Sequence, residues 1–211
     1  MSDIHFEILP PAQKRVWDVL AKRADELRTG GYYLAGGTAL ALHLGHRQSV
    51  DFDFFSQQRE SAAAAMTWLE EIADFTIRDR DRETIHGNIE EVKLSLIGAY
   101  RYPLLEQPSN VDGVQVAGPL DIGVMKLIAI TNRATVRDYI DIAALVRRGW
   151  ELPVLLQAGI KKYGPSFNPM VPLRTLTAFA DLEDEMPVML DESLSHSWKE
   201  ILQAAVRQVA L

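Results

Sequence analysis

The order of strand-like and helix-like segments limits this chain to a mixed sheet with surrounding helices and a helical second part. Up to Pro119, short apolar segments of strand length alternate with helical patterns, and after Pro119 only helical patterns occur. This order predicts an α+β (α/β) fold in which a small mixed sheet is followed by a helical C-terminal half. We therefore predict a core of residues 1–118 and a helical domain of residues 119–211.

Terminating residues and apolar periodicity place the individual elements. We predict helices over Gln13–Arg28, Ala39–Leu44, Ser61–Ala73, Leu120–Asn132, Arg137–Arg148, Val154–Tyr163, Val171–Ala180 and Leu194–Val209. We predict strands over Tyr32–Ala35, Val50–Phe55, Phe75–Arg80, Thr84–His86, Glu91–Ile97 and Val114–Ala117. The alanine-rich third helix is expected to be exposed. Thr38 is expected to cap the short second helix and Gly45 to end it.

Composition excludes several classes of site. The 211 residues include no cysteine, which rules out disulfide frameworks, cysteine–zinc sites and thiol nucleophiles. The net charge of −7 argues against a wholly basic surface that coats nucleic acid. The segment from Ile122 to Ala180 nevertheless holds eight Lys and Arg against three Asp and Glu. A local basic face that meets RNA or a triphosphate is therefore an alternative to scattered surface charge.

The stretch from Thr29 to His46 contains no Asp, Glu, Lys or Arg, as a membrane span would. Its glycine pairs interrupt it, however, and a spanning helix needs about 20 predominantly apolar residues. The N-terminus shows no basic start followed by an apolar run, so no secretory signal is visible. We expect a cytoplasmic protein with no membrane partner.

Two aspartates lie in one predicted strand, VDFDFF (residues 50–55). Because side chains alternate along a strand, Asp51 and Asp53 share one face, and Val50, Phe52 and Phe54 share the opposite, core face. Neighbouring carboxylates repel each other unless a cation lies between them. Mg²⁺ fits this need, since it binds one or two carboxylates together with substrate phosphates. A pair of such ions can activate an attacking hydroxyl and stabilise a leaving pyrophosphate.

A glycine pair precedes the two aspartates. Gly36 and Gly37 lie between a predicted strand and a helix start, where backbone amides and the helix dipole attract phosphate oxygens. Arg47 offers a forked cationic contact to phosphate, and the hydroxyl of Ser49 offers a hydrogen bond. Residues 36–55 together therefore predict a phosphate cradle beside a metal-binding pair.

The segment GGTALALHLGHRQSVDFDFF (residues 36–55) resembles the nucleotidyltransferases of the DNA polymerase β type, which carry a glycine pair followed by Asp-x-Asp. More narrowly, it is similar to the AbiEii/AbiGii family of nucleotidyltransferase toxins. Lys126 in DIGVMKLIAITNR and the segment RDYIDIAALV (residues 137–146) resemble the later lysine and Arg-Asp-x-x-Asp segments of that family. The resemblance extends over residues 33–146.

This resemblance implies an enzyme that depends on Mg²⁺ or Mn²⁺. The enzyme would transfer a nucleoside monophosphate from a nucleoside triphosphate to a hydroxyl of RNA, transfer RNA included, or of protein. It would be the toxin of a toxin–antitoxin or abortive-infection system, with an antitoxin protein as partner. The implied site comprises Asp51 and Asp53 on the metal, Gly36, Gly37, Thr38, Arg47, Ser49 and Lys126 on the nucleotide, and Asp138 or Asp141 from the helical half.

The residues themselves leave the roles in the helical half open. Asp138 and Asp141 are three positions apart and share one helix face. Thr135 and Asp138 also fit a capping box, which favours Asp141 as the carboxylate that points into the site. Lys126 lies among apolar neighbours, so it either extends to water or reaches a phosphate or carboxylate.

A third metal-binding carboxylate is not evident in the sequence. The resemblance places such a group on a following strand, where Lys93 and Ser95 occupy the expected positions and Glu91 lies near the strand's start. Three alternatives follow: Asp141 takes part of that role, a two-carboxylate site suffices, or the enzyme is impaired. His86 on a neighbouring strand is expected to be solvent-exposed, with orientation of a substrate as the alternative.

Two other functions compete with the transferase. A non-catalytic protein could keep the nucleotidyltransferase fold and bind a nucleotide or a partner, and the missing third carboxylate favours it. A phosphatase with an aspartate nucleophile is disfavoured, because that chemistry needs the aspartate at the end of a strand. Here Phe54 and Phe55 continue the strand beyond the aspartates.

Overall fold

Strands and helices alternate as far as Val116, and only helices follow in the part of the chain that the computed structural model describes (residues 4–133, 135–180, 182 and 185–209). The strands are β1 (Tyr33–Ala35), β2 (Asp51–Phe55), β3 (Phe75–Arg80), β4 (Thr84–Ile89), β5 (Val92–Ile97), β6 (Ser109–Val111) and β7 (Val114–Val116). The helices are α1 (Pro11–Lys22), α2 (Ala24–Thr29), α3 (Gly36–Leu44), α4 (Ser61–Leu69), α5 (Pro119–Asn132), α6 (Val136–Arg147), α7 (Leu152–Tyr163), α8 (Met170–Thr175) and α9 (Glu192–Val209). This order confirms the predicted mixed sheet followed by a helical half; the division at residue 118 stays a prediction.

The seven strands form one mixed sheet in the order β3-β4-β5-β2-β1-β7-β6. β2 lies at its centre, antiparallel to β1 and parallel to β5. Asp53 is therefore level with Ala35 on one side and with Ser95 on the other. Because α3 begins directly after Ala35, this register brings the glycine pair next to the two aspartates.

The two faces of β2 differ as the alternation predicts. Phe52 and Phe54 are completely buried, and Trp17 of α1 packs against Phe52 with 6.1 Å between ring centroids. Asp51 and Asp53 lie on the other face and are partly exposed. The prediction that Val50 joins the core is wrong: it is 53% exposed, because β2 begins one residue later.

Three predicted helices differ from the observed ones by more than a shift of their ends. The first is divided at Arg23 into α1 and α2, since Arg23 leaves helical backbone angles. The third is not exposed along its length, because alanines and Trp68 on one side of α4 are buried. The seventh is replaced by the shorter α8, and the Tyr139 hydroxyl donates to the carbonyls of Thr175 and Ala178 at and beyond its end.

Strand β6 was not predicted. It pairs with β7 through a hairpin whose turn residues, Asp112 and Gly113, both have positive φ angles of 51° and 88°. Asp-Gly between two short strands is a strong signal for this turn type. The turn dipeptide could therefore have revealed the strand, although the polar Ser109 and Asn110 obscure its pattern.

The helical half packs on the sheet through a continuous core and through buried charges. Lys162 of α7 donates to Asp121 of α5 at 2.6 Å, and both side chains are fully buried. Lys126 is likewise buried in ion pairs, so two of the eight basic residues of the predicted basic face lie inside the protein. None of the described helices is long and apolar enough to cross a membrane.

Candidate active site

Asp51 and Asp53 lie side by side on the open face of β2 and line a cleft of about 150 Å³. Burial raises the pKa of Asp53; a hydrogen bond from Ser95 opposes the rise, and the neighbouring Asp51 adds to it. The Oδ1 atom of Asp51 is buried and accepts no hydrogen bond from any described residue. A buried carboxylate oxygen without a partner is unfavourable, and a bound cation would satisfy it.

The helix start that faces this pair is made of glycine for steric reasons. Gly36 has a φ of +72°, and a Cβ atom there would lie 3.1 Å from Oδ2 of Asp53. A Cβ atom on Gly37 would lie 2.6 Å from Nη2 of Arg47 and 3.1 Å from Oγ of Ser49. The glycine pair therefore lets the first turn of α3 approach the aspartates and the guanidinium closely.

Thr38 does not cap α3, because the helix begins two residues earlier. Its side chain is buried and donates to the main-chain oxygen of Asp51, and Gln13 donates to it in turn. The Thr38 side chain thus attaches α3 to β2. The predicted end of α3 is confirmed, since Gly45 adopts the left-handed conformation with φ +63°.

Lys126 connects the cleft to the helical half. Its Nζ atom lies 2.6 Å from Oδ1 of Asp138 and 2.6 Å from Oδ2 of Asp141. Asp138 also accepts a hydrogen bond from the Thr135 hydroxyl at 2.8 Å. Lys126 and Asp138 both line the cleft with Asp51 and Asp53. Of the two sequence alternatives for Lys126, contact with carboxylates is the one observed.

Asp141 lies behind the cleft and not in it. Arg47 binds it with two hydrogen bonds of 2.7 and 2.8 Å, and His46 adds a third at 2.9 Å. Although burial opposes ionisation, the charges of Arg47 and Lys126 hold the pKa of Asp141 well below its usual range. The preference for Asp141 as the carboxylate facing the site is therefore wrong, because Asp138 occupies that place.

The capping box at the start of α6 is not formed. Thr135 is the residue before α6, and its side chain makes no hydrogen bond to a backbone amide of the helix. It binds the Asp138 carboxylate instead, and Lys126 draws that carboxylate into the cleft. Spacing alone shows that Asp138 and Asp141 share a helix face, but not which neighbour each one meets.

Two cleft residues were missed as site residues. Arg133, which directly follows α5, and Arg137, in the first turn of α6, line the cleft, and both are exposed. The Nε atom of Arg133 lies 3.5 Å from Oδ2 of Asp138. Both belong to the basic stretch recognised in the sequence, and only the fold shows which basic residues of that stretch meet the aspartates.

The position of a third carboxylate is occupied by other groups. In the register of β2 and β5, Lys93 is level with Asp51 and Ser95 with Asp53. Glu91 lies outside β5, exposed in the turn that joins it to β4. Within the described ranges, no three His, Asp or Glu side chains are grouped so that they could hold a metal ion. A cation here would be held by Asp51, Asp53 and ligands from outside the chain.

Two solved structures that share this arrangement of strands and helices are described as nucleotidyltransferases. MenT4, a nucleotidyltransferase toxin from Mycobacterium tuberculosis H37Rv, aligns with a TM-score of 0.57 at 15% identity, over 89% of this chain and 82% of that one. An H. pylori protein proposed to be a nucleotidyltransferase aligns with a TM-score of 0.51 at 18% identity, over 94% and 97% of the two chains. These two similarities show that the chain has a nucleotidyltransferase fold.

Comparison of the amino-acid sequence with known families shows the family to which the chain belongs. The chain belongs to the nucleotidyl transferase AbiEii toxin family of type IV toxin–antitoxin systems, which matches residues 18–211. It is also 32% identical over 183 residues to an uncharacterized protein of Aquifex aeolicus (strain VF5), covering 84% of this chain and 86% of the relative. The family resemblance carried by residues 36–55 and the later segments is thereby confirmed.

Proposed function

We propose that this protein is a Mg²⁺-dependent nucleotidyltransferase, with Mn²⁺ as a substitute, that transfers a nucleoside monophosphate from a nucleoside triphosphate to a hydroxyl group. The observation that carries this proposal is the unpartnered, buried Oδ1 of Asp51 beside Asp53, in a cleft that Lys126 also lines. An anionic pair with an unsatisfied oxygen fits a divalent cation, and a lysine in the same cleft fits the phosphates that such a cation brings.

Asp51 and Asp53 would hold the metal. Bound there, Mg²⁺ would offset the repulsion between the carboxylates and polarise the α-phosphate. The raised pKa of Asp53 supports this assignment, because a group that is buried beside another carboxylate gains most from a nearby cation. With two carboxylates from the protein, the remaining metal ligands would be water and phosphate oxygens.

The opposite wall of the cleft would bind the triphosphate. The backbone amides of Gly36, Gly37 and Thr38 lie in the first turn of α3, where the helix dipole favours anions. Arg47 and Ser49 line the cleft next to Gly37, and two hydrogen bonds to the Asp141 carboxylate hold the Arg47 guanidinium in place. The positive charge of Arg47 is therefore largely balanced by the buried Asp141 carboxylate.

Lys126 and Asp138 would act together on the nucleotide. Lys126 is held by Asp138 and Asp141, so its ammonium is fixed before a ligand arrives. A fixed cation that meets charge developing on the triphosphate needs no reorganisation during the reaction. Arg133 and Arg137, which are exposed at the same cleft, would extend the positive wall towards the acceptor.

The acceptor would be a hydroxyl of RNA, transfer RNA included, or of a protein. Family membership also supports a role as the toxin of a cytoplasmic toxin–antitoxin pair, with an antitoxin protein as partner. A protein that binds nucleotide without turnover is the second candidate. The specific observation in its favour is Ser95, which occupies the place of a third carboxylate beside Asp53.

A transfer assay distinguishes the two functions. The protein is incubated with Mg²⁺, each of four α-labelled nucleoside triphosphates and total cellular RNA, alongside the double variant Asp51→Asn/Asp53→Asn. Asp18→Asn is the matched control, because Asp18 is exposed on α1 and does not line the cleft. We expect label in RNA or in protein that is lost only in the double variant. Mg²⁺-dependent nucleotide binding without any transfer would establish the binding protein instead.

A further inference from the structure

One of the side chains that line the cleft is a threonine whose hydroxyl is bound to a carboxylate. Thr135 directly precedes α6, is partly exposed and lines the same cleft as Asp51 and Asp53. Its hydroxyl donates to Oδ2 of Asp138 at 2.8 Å and makes no hydrogen bond to a backbone amide of α6. Because donation uses only the proton, the Thr135 oxygen keeps its lone pairs for a partner in the cleft.

The place of Thr135 differs from that of the other cleft hydroxyl, which belongs to Ser49. Ser49 lies beside Gly37 and Arg47, on the wall proposed to hold the triphosphate. Thr135 comes instead from the helical half, and its partner Asp138 lines the cleft as well. The whole cleft has a volume of about 150 Å³, so a phosphate group bound there would lie close to the Thr135 hydroxyl.

We propose that Thr135 is an acceptor in this protein's own nucleotidyl transfer, so that the chain attaches one nucleoside monophosphate to itself. This inference rests on the proposed function. The Thr135 oxygen would form a bond to the α-phosphorus of the triphosphate. The bond from that phosphorus to the oxygen that bridges to the β-phosphate would break, and its electron pair would leave on pyrophosphate. The hydroxyl proton would pass to Asp138, which already accepts its hydrogen bond.

Two cations lie next to this hydroxyl–carboxylate pair. Nζ of Lys126 is 2.6 Å from Oδ1 of Asp138, and Nε of Arg133 is 3.5 Å from Oδ2. Both residues line the cleft, where they would stabilise the negative charge that develops on the phosphate during transfer. The product is a phosphodiester of Thr135. Its phosphate would occupy the place that the next triphosphate needs, so each chain would be modified once and would then lose its transfer activity.

Mapping the label tests this inference. The protein is incubated with Mg²⁺ and, in turn, with α-labelled and γ-labelled forms of each of four nucleoside triphosphates, without RNA. We expect at most one α-label per chain, located on Thr135 by mass spectrometry, and no γ-label, because the γ-phosphate leaves with pyrophosphate. Transfer to RNA that is added afterwards should fall in proportion to the labelled fraction. Label on Ser49 or on any residue other than Thr135 would overturn the inference.

Three variants test the need for the hydroxyl. Thr135→Ser keeps a hydroxyl and should still be labelled, whereas Thr135→Val has the same shape without one and should be labelled no more than Asp51→Asn/Asp53→Asn. Thr131→Val is the matched control, because the Thr131 hydroxyl donates to the carbonyl of Ile128 and does not line the cleft. It should be labelled as the unchanged protein is. Equal labelling of Thr135→Val and the unchanged protein would contradict the inference.

A mixing experiment tests whether each chain modifies itself. Asp51→Asn/Asp53→Asn protein, made distinguishable by a tag, is incubated with unchanged protein and α-labelled triphosphate. Since Thr135 lies in its own cleft, the inactive chain should stay unlabelled, and the rate per active chain should not depend on protein concentration. Label on the inactive chain would show that another copy reaches Thr135, which contradicts the inference.

Failure of this inference can be distinguished from failure of the proposed function. If the unchanged protein labels RNA but not Thr135, the inference is wrong and the transferase assignment still holds. If neither RNA nor protein is labelled, the proposed function fails, and the role of Thr135 fails with it.

Discussion

Asp141 is a single buried residue on which the position of two cleft cations, Arg47 and Lys126, depends. Its carboxylate accepts from His46 and from both ends of the Arg47 fork, and it lies 2.6 Å from Lys126. Since the side chain is completely buried, no water can replace these contacts. Arg47 and Lys126 would otherwise be free to turn onto Asp51 and Asp53 and close the proposed metal site.

Asp141→Asn should therefore destabilise the protein strongly. The amide keeps the shape of the side chain but leaves Arg47 and Lys126 buried without their shared counter-charge. We expect the free energy of unfolding in urea to fall by about 3–5 kcal/mol. The exposed substitution Asp18→Asn should change it by no more than about 0.5 kcal/mol. Equal effects of the two variants would contradict this account of Asp141.

Two buried histidines predict how stability depends on pH. Burial lowers the pKa of His43 and of His46 below the ordinary value of 6.5. Below pH about 6.5 the unfolded chain therefore binds protons that the folded protein excludes, so acid stabilises the unfolded state. We expect the free energy of unfolding to be level just above this pH and to decrease as the pH falls towards 5.

The variant His43→Gln separates this effect from other titrations. Glutamine can keep the hydrogen bond that the His43 ring makes to the carbonyl of Ala117, but it does not titrate in this range. Urea titrations between pH 7 and pH 5 should show a smaller slope of the free energy of unfolding against pH. An unchanged slope would show that His43 does not contribute.

The start of α3 is the element that positions the phosphate cradle against the metal-binding pair. β1 ends at Ala35, and the chain turns at Gly36 directly over Asp53. A left-handed residue at this point allows α3 to begin without a connecting loop. Gly36 lies so close to Asp53 that a change in the start of α3 would also move the aspartate side chain.

A pair of glycine variants distinguishes backbone strain from damage to the site. Gly36 and Gly149 both have positive φ, but a Cβ atom would meet Oδ2 of Asp53 only at Gly36, and nothing within 4 Å at Gly149. Gly36→Ala and Gly149→Ala should each lower the free energy of unfolding by about 1–2 kcal/mol. Only Gly36→Ala should weaken Mg²⁺-dependent nucleotide binding, measured by calorimetry. Equal loss of binding in both would contradict the proposed cradle.

Local patterns identified most elements, because alternation and helix-ending residues act over a few positions. The two faces of β2, the left-handed end of α3 and the helical second half all follow from such patterns. Which residues meet across elements depends on register and packing. The sequence therefore could not show that Ser95 lies beside Asp53, or that Asp141 is closed off by Arg47.

At the scale of the whole molecule, a buried ion pair joins the loop before β6 to the helical half. Lys162 of α7 donates to Asp121 of α5 and to the carbonyl of Pro103, and Asp121 also accepts from the amides of Leu105 and Glu106. The loop, α5 and α7 thus share one charged centre, and neither Asp121 nor Lys162 lines the cleft. This centre should contribute to stability without contributing to nucleotide binding.

Lys162→Met should destabilise the protein by about 3–5 kcal/mol, since it leaves Asp121 charged and buried without its cation. The double variant Lys162→Met/Asp121→Asn should lose less, because it contains no unpaired charge. Urea unfolding of both variants measures the difference. A double variant that is less stable than the single one would contradict this interpretation.

The central claim is that Asp51 and Asp53 hold a divalent cation together with a nucleoside triphosphate. The most direct test is calorimetric titration of the protein with a non-hydrolysable nucleoside triphosphate, with and without Mg²⁺. We expect binding that needs Mg²⁺, is lost in Asp51→Asn/Asp53→Asn and is retained in Asp18→Asn/Asp74→Asn, at two exposed aspartates. Binding of equal strength without Mg²⁺, or in the variant without the two site carboxylates, would contradict the claim.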